Sequence, residues 1–193
     1  MLKKLRRLPV WVAVALMCLM IFAGITLGNR NALSAATGSV YSRLETLRAR
    51  VEVMASKASN YLTIANRIGI KGQSLDSLKS AQSDAKQIAS RPVGAHGRAA
   101  ASVYIDAAGE LNQAMESMDA ALREAISSLP ADSAERKSEE TARVAAYNAW
   151  RDEAPKLIEK QNYNDAAEDF SKLYYSLPAR MLLRGYNYPI IKY

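Results

Sequence analysis

Hydrophobic and polar positions follow two different patterns along the 193-residue chain. From Leu8 to Leu27 no residue is charged, and the next charge is Arg30. Twenty helical residues reach roughly 30 Å, the thickness of a bilayer's hydrocarbon core. Pro9 suits the first turn of such a helix, and Trp11 suits the membrane interface. The run predicts a membrane helix. A secretory signal is the other reading, with Ser34-Ala35-Ala36 as its cleavage site. Signals have short apolar cores, however, and cleavage after Ala36 would remove the first position of the pattern that follows. Cys18 is preceded by Ala15-Leu16-Met17, without the small residues a lipidation site needs. An uncleaved signal-anchor is expected.

Beyond the run, apolar residues recur at helical spacing. Leu33, Thr37, Val40, Leu44, Leu47, Val51, Met54, Ala58, Tyr61, Ala65 and Ile68 alternate by four and three, a coiled-coil-like seam of about five heptads. Glu45, Arg48, Glu52 and Lys57 fall on the other side and are expected to face water. The rod should end near Gly69, with Gly72 as the stop signal, and Gly28-Asn29 is a candidate hinge below it. A second helix is predicted over 74–90, with Leu75, Leu78, Ala81, Ala85 and Ile88 on one side and Arg91-Pro92 ending it. A third carries Tyr104, Ala108, Leu111, Met115, Met118, Leu122, Ala125 and Leu129 up to Pro130. Asp132-Ser133-Ala134-Glu135 resembles a capping box opening a long region to Leu177. Pro155 must interrupt or kink that region. Its phase changes between Tyr147-Trp150-Ala154-Leu157 and Tyr163-Ala166-Phe170-Leu173-Leu177, which leaves Gln161-Asn162 as a candidate break. No strand pattern is present. The prediction is all-α: an N-terminal transmembrane helix, then an elongated antiparallel bundle of about four helices. The chain divides into a basic tip and anchor (1–29), the bundle (30–178) and a Tyr-rich apolar tail (179–193).

Charge locates the chain more than it assigns chemistry. Lys3, Lys4, Arg6 and Arg7 precede the apolar run without an acid among them; the rest holds 22 basic and 19 acidic residues. The positive-inside rule keeps that tip in the cytoplasm and puts the bundle on the extracytoplasmic side, periplasmic in a Gram-negative bacterium. A balance of +3, with acids and bases interleaved, gives no nucleic-acid signal. One Cys and one His exclude an intrachain disulfide, a Cys/His zinc cluster and a Cys-x-x-Cys redox pair. His96 stands in a Gly-rich loop with no Glu three residues before it, so a bundle-type di-iron site is not expected. Asp152-Glu153 and Glu168-Asp169 read as solvated faces, and Met115 and Met118 as core filler. No catalytic residue, cofactor, metal or small-molecule substrate is expected.

Near the end of the chain the residues become specific. Tyr163-Asn164-Asp165-Ala166, Asp169-Phe170 and Leu177-Pro178 resemble the signature of the bacterial LemA family. Asn31-x-Leu33, Val40, Leu44 and Leu47 are similar to that family's opening segment. The family's arginine pair and Ile-Pro-Asn-Leu run are replaced here by Val53-Met54-Ala55-Ser56-Lys57-Ala58, and its acidic Tyr-Pro segment by Leu129-Pro130-Ala131-Asp132. The resemblance is to a divergent member. It implies packing roles for Tyr163, Asn164, Ala166, Phe170 and Pro178, and a non-catalytic organiser in the inner membrane, since relatives are linked to internal membranes or encoded beside membrane proteases. The same stretch, with Trp150 and Leu157, also resembles a single tetratricopeptide repeat, whose helix break would fall at Gln161-Asn162.

Seven of the ten tyrosines follow residue 146, and the tail is too apolar for idle disorder. Tyr174, Tyr175, Tyr186 and Tyr188 are therefore candidate partner-binding residues, with a cap over the bundle end as the plainer role. Tyr174 and Tyr175 are neighbours on a helix and cannot both face one core. The expected function is a membrane-anchored scaffold or adaptor, bound to lipid through 8–27 and to protein partners. A peptide-binding repeat-like module and a self-associating coiled-coil rod, paired through the Leu33–Ile68 seam, are the alternatives.

Overall fold

The computed structural model describes residues 10–94, 99–153 and 157–176. His96, Pro178, Tyr186 and Tyr188 lie outside them. Five α-helices account for nearly all of this: α1 (Val10–Ile68), α2 (Gln73–Ser90), α3 (Ala100–Ser127), α4 (Ala134–Glu153) and α5 (Leu157–Ser176). No strand occurs among the described residues. The bundle is all-α, as its periodicity predicts.

Helix α1 is the axis of the molecule, and each of the other four packs against it. Its 59 residues reach roughly 88 Å. The seam from Leu33 to Ala65 is buried throughout, apart from half-buried Thr37, with half-buried Ile68 at its end. Ala55 and Ile64 are buried too, because a helix surrounded by neighbours needs a wider apolar stripe than a two-stranded seam. The expected hinge at Gly28-Asn29 is not found; α1 passes through it. One glycine costs a helix only about 1 kcal/mol, which a rod this long absorbs. Arg48 and Lys57 are half-buried rather than fully in water.

The stop of α1 is Gly69, not Gly72. Gly69 takes φ 80°, and the Ile70 amide donates to the Ala65 carbonyl at 2.9 Å, which closes the helix in a Schellman turn. Gly72, at φ 122°, opens α2, its carbonyl accepting from the Leu75 and Asp76 amides. The inner face of α2 is rotated from the expected one: Gln82 and Ala89 are buried, and Ala81 and Ile88 only half. Gln82 explains this, because Nε2 donates to the Ala55 carbonyl (2.8 Å) and to Ser59 Oγ (2.7 Å) across the helix pair. Arg48 Nη1 donates to the Ala89 carbonyl (3.0 Å) in the last turn of α2.

Helix α4 is capped by Ser133, whose Oγ accepts from the Arg136 amide at 3.1 Å. The expected box on Asp132 and Glu135 is thus displaced by one residue, with no acid at its return position. Helix α4 is described to Glu153 and α5 from Leu157, the expected interruption at Pro155 lies outside the described residues, and α5 is continuous through Gln161-Asn162. Gln and Asn keep the amide donor that a helix interior needs, so neither interrupts α5.

Contacts set the direction of each rod. Ala89 meets Arg48 and Gln82 meets Ala55, so α2 runs antiparallel to α1. Glu139 meets Arg67, and Arg143 and Tyr61 meet on Asp119, so α4 also runs antiparallel to α1. Helix α5 packs on α1 and makes few contacts with α4. The bundle thus holds five described helices, with α2 to α5 each packed on α1, against the expected four or so.

Candidate functional site

Three features of this frame stand out: a bare apolar stretch of α1, the aromatic end of α5, and a buried layer of charge. Bundle burial on α1 starts at Leu33. Below it, Val14, Leu16, Met17, Leu19, Met20, Ile21, Phe22 and Leu27 each expose more than half of their surface, and Cys18 is exposed among them. Among the described residues no helix is long and apolar enough to cross a membrane, and the uncharged run 8–27 lies partly outside those residues.

Helix α5 carries Tyr163, Asn164, Ala166 and Phe170. Tyr163 and Phe170 are buried in the hydrophobic core, and Asn164 is buried beside them in sequence. Burial pushes the Tyr163 hydroxyl up to about 12. Ala166 is only half-buried, whereas its neighbour Ala167 is fully buried. Tyr174 is 8% exposed and stacks on Phe170 with centroids 5.9 Å apart, while Tyr175 is 55% exposed and meets Tyr174 edge-on at 5.4 Å. The adjacent tyrosines are thus split, one inward and one outward. Tyr174 and Tyr175 lie together, and the other two candidate partner-binding tyrosines, Tyr186 and Tyr188, lie outside the described residues.

The charged layer was not anticipated. Asp119 on α3 and Arg143 on α4 are 7% and 8% exposed and pair at 2.7 Å. Asp119 Oδ2 also accepts from Arg123 Nε (2.8 Å), and Oδ1 from the Tyr61 hydroxyl on α1 at a longer 3.4 Å. Arg143 donates in addition to both Glu140 carboxylate oxygens (3.0 and 2.6 Å). These hydrogen bonds hold the Glu140 carboxyl below its ordinary value and the Arg143 guanidinium above its own. One turn away, Arg67 Nη2 donates to buried Glu139 at 2.6 Å. Burial and the Asp119 charge raise the Tyr61 hydroxyl above its ordinary value. The six ionised groups cancel, each held by a partner of opposite sign, so none is poised as a free acid, base or nucleophile. Asp152, Glu168 and Asp169 are exposed, the last two close to Lys172. No His/Cys/Asp/Glu group that could hold a metal occurs among the described residues. A groove of about 480 Å³ between α2 and α3 is lined by small and polar side chains, including Ser77, Ser80, Asp84 and Glu110.

No family model, no curated protein and no solved structure matches the chain.

Proposed function

We propose that the chain is a single-pass, membrane-anchored helical scaffold that holds its bundle on the extracytoplasmic side of a bacterial inner membrane and organises protein partners there, without catalysis. One observation carries the proposal: the central helix of a well-packed bundle continues, unbroken, into a stretch where eight large apolar side chains each expose more than half of their surface. Burying eight such side chains is worth more than about 10 kcal/mol, so a cover is expected, and 20 uncharged residues match a bilayer in length. Lys3, Lys4, Arg6 and Arg7 argue for a cytoplasmic tip. The likeness of α5 and the start of the bundle to the LemA family supports a scaffold over an enzyme.

The alternatives have less support. The Leu33–Ile68 seam is covered by the chain's own helices, which leaves little of it for pairing with a second copy. A repeat-like groove needs a helix break at Gln161-Asn162, where α5 is continuous. The test is membrane fractionation. The full-length protein should stay in the pellet through alkaline carbonate extraction, and Leu16→Asp/Met20→Asp should move it to the supernatant with its helix content retained. Release of the unaltered protein by carbonate would overturn the anchor.

A further inference from the structure

The core seam of α1 is closed by the chain's own helices, and the opposite face of the same rod is open. Ser39, Ser42, Thr46, Ala49, Val53 and Ser56 recur at strict three-four spacing, and every one of them is exposed. Their counterparts on the core side, Val40, Leu44, Leu47, Val51, Met54 and Ala58, are all buried. The outer row is therefore a second heptad face, about 26 Å long. A shallow depression of about 590 Å³ lies along it, lined by Thr46, Ala49 and Val53 of the row with Glu45 and Arg50 beside it.

The charges flanking this face are sorted by side. With Ser39, Thr46 and Val53 as heptad positions a and Ser42, Ala49 and Ser56 as positions d, Arg43, Arg50 and Lys57 all fall at e, and Glu45 and Glu52 at g. No acid stands at e and no base at g between residues 36 and 59. In a parallel, in-register pair of helices each g residue faces the e residue five positions on in the other chain. Glu45 then meets Arg50 of the second copy and Glu52 meets its Lys57, twice over by two-fold symmetry. An antiparallel pair sets g against g and e against e, acid on acid and cation on cation, so the charges select one orientation. Solvation alone does not require this sorting. Gly28 continues the row below, seven residues before Ala35, and Gly24 stands one turn earlier, both with open space around them. Two glycines at that spacing let apolar helices approach closely within a bilayer.

We propose that the chain pairs with a second copy of itself, parallel and in register, through the outer face of α1 from Ser39 to Ser56. This gives the scaffold proposed above its first partner. The charge argument holds in water or on a membrane, and only the contribution of Gly24 and Gly28 rests on the anchor reading. The row is poor in large apolar side chains, so the flanking charges rather than burial set the strength and orientation of the pair.

The test uses membranes holding the full-length chain in a Cys18→Ser background with one new cysteine, Ser42→Cys, Ser56→Cys or Ser80→Cys, oxidised with copper phenanthroline. Positions 42 and 56 should each form disulfide-linked dimers, and position 80, in the α2–α3 groove, should not. The first two sites lie about 21 Å apart, so only a parallel, in-register pair brings both beside their own counterparts. A second arm exchanges charge, with Glu45→Lys/Glu52→Lys in a tagged chain and Arg50→Glu/Lys57→Glu in an untagged one, each carrying Ser42→Cys. Alone, each variant should crosslink to itself at least roughly tenfold less than the parent, because four attractive pairs become repulsive. Coexpressed, the two should crosslink to one another at the parent's level. No dimer at 42 or at 56, or equal crosslinking at 80, overturns the proposal. So do self-crosslinks that survive both charge variants, or a loss that mixing fails to restore with helix content intact. If a variant loses its helix content, the cysteine arm decides alone, since it leaves the charges in place. Carbonate extraction of the same membranes keeps the anchor separate: release with crosslinks present removes the anchor and leaves the pair, and retention without crosslinks does the reverse.

Discussion

The buried charge between α3 and α4 allows a prediction with a defined size. Arg143→Met removes the 2.7 Å pair with Asp119 and the fork to Glu140. Glu140 is 46% exposed on its side chain and rehydrates cheaply. Asp119, 7% exposed, keeps Arg123 and the long Tyr61 contact but loses its buried counter-charge. Removing one partner of a buried pair costs about 3–5 kcal/mol, and the surviving Arg123 contact puts this case near 3 kcal/mol. That corresponds to about 6–12 °C in Tm for a chain of this size. Asp119→Leu should cost a similar amount, because it strands Arg143 with Glu140 alone. The double substitution removes both charges together and should lie within about 1 kcal/mol of the parent. The cycle then shows a coupling of several kcal/mol. Urea unfolding in micelles reports it through the fluorescence of buried Trp150 in a Trp11→Phe background. Single variants that each cost less than about 1 kcal/mol, with coupling below about 0.5 kcal/mol, would refute the reasoning and mean that this layer is solvated.

Three further outcomes follow from other sites. Arg143 holds Glu140 below its ordinary value of 4.5, so this group stabilises the fold above that pH, and its contribution is lost as pH falls through the lowered value; Glu140→Gln should flatten the acid limb of the stability curve. Ala167→Leu should cost about 1–3 kcal/mol by forcing α5 away from α1, whereas Ala166→Leu should cost under about 1 kcal/mol, a contrast readable by thermal unfolding. Gly69→Ala should destabilise by about 1 kcal/mol because φ is 80° there, and Gly38→Ala, exposed in mid-helix with open space around it, should stabilise by about 0.5–1 kcal/mol; both are read from urea midpoints.

The rods were legible because long four-three spacing admits few alternatives: the seam from Leu33 to Ile68 and the α3 stripe from Tyr104 to Leu122 both became core. The charged layer was hidden by its own chemistry. Arg136, Glu140, Arg143, Tyr147 and Trp150 keep the same four-three spacing, so the α4 seam runs on through charged residues that a hydrophobic pattern reads as a wet face. Asp119 could have been found the same way, one residue past Met118 and four past Met115 on the α3 stripe. The phase change at Gln161-Asn162 suggested a break that α5 does not have, since neither residue has a steric reason to end a helix. Ser133 displaced Asp132 as the cap by a single residue, a distinction that composition does not make. The split of Tyr174 and Tyr175 needed only the 100° between successive helical residues.

Cys18 provides the most direct test of the central claim, since it is the chain's one cysteine and sits in the middle of the bare stretch of α1. Intact membranes carrying the full-length protein are treated with maleimide-linked polyethylene glycol, before and after detergent is added. A bilayer-spanning helix predicts no modification until detergent dissolves the lipid, then complete modification. Full modification in intact, sealed membranes would show Cys18 in water and contradict the account.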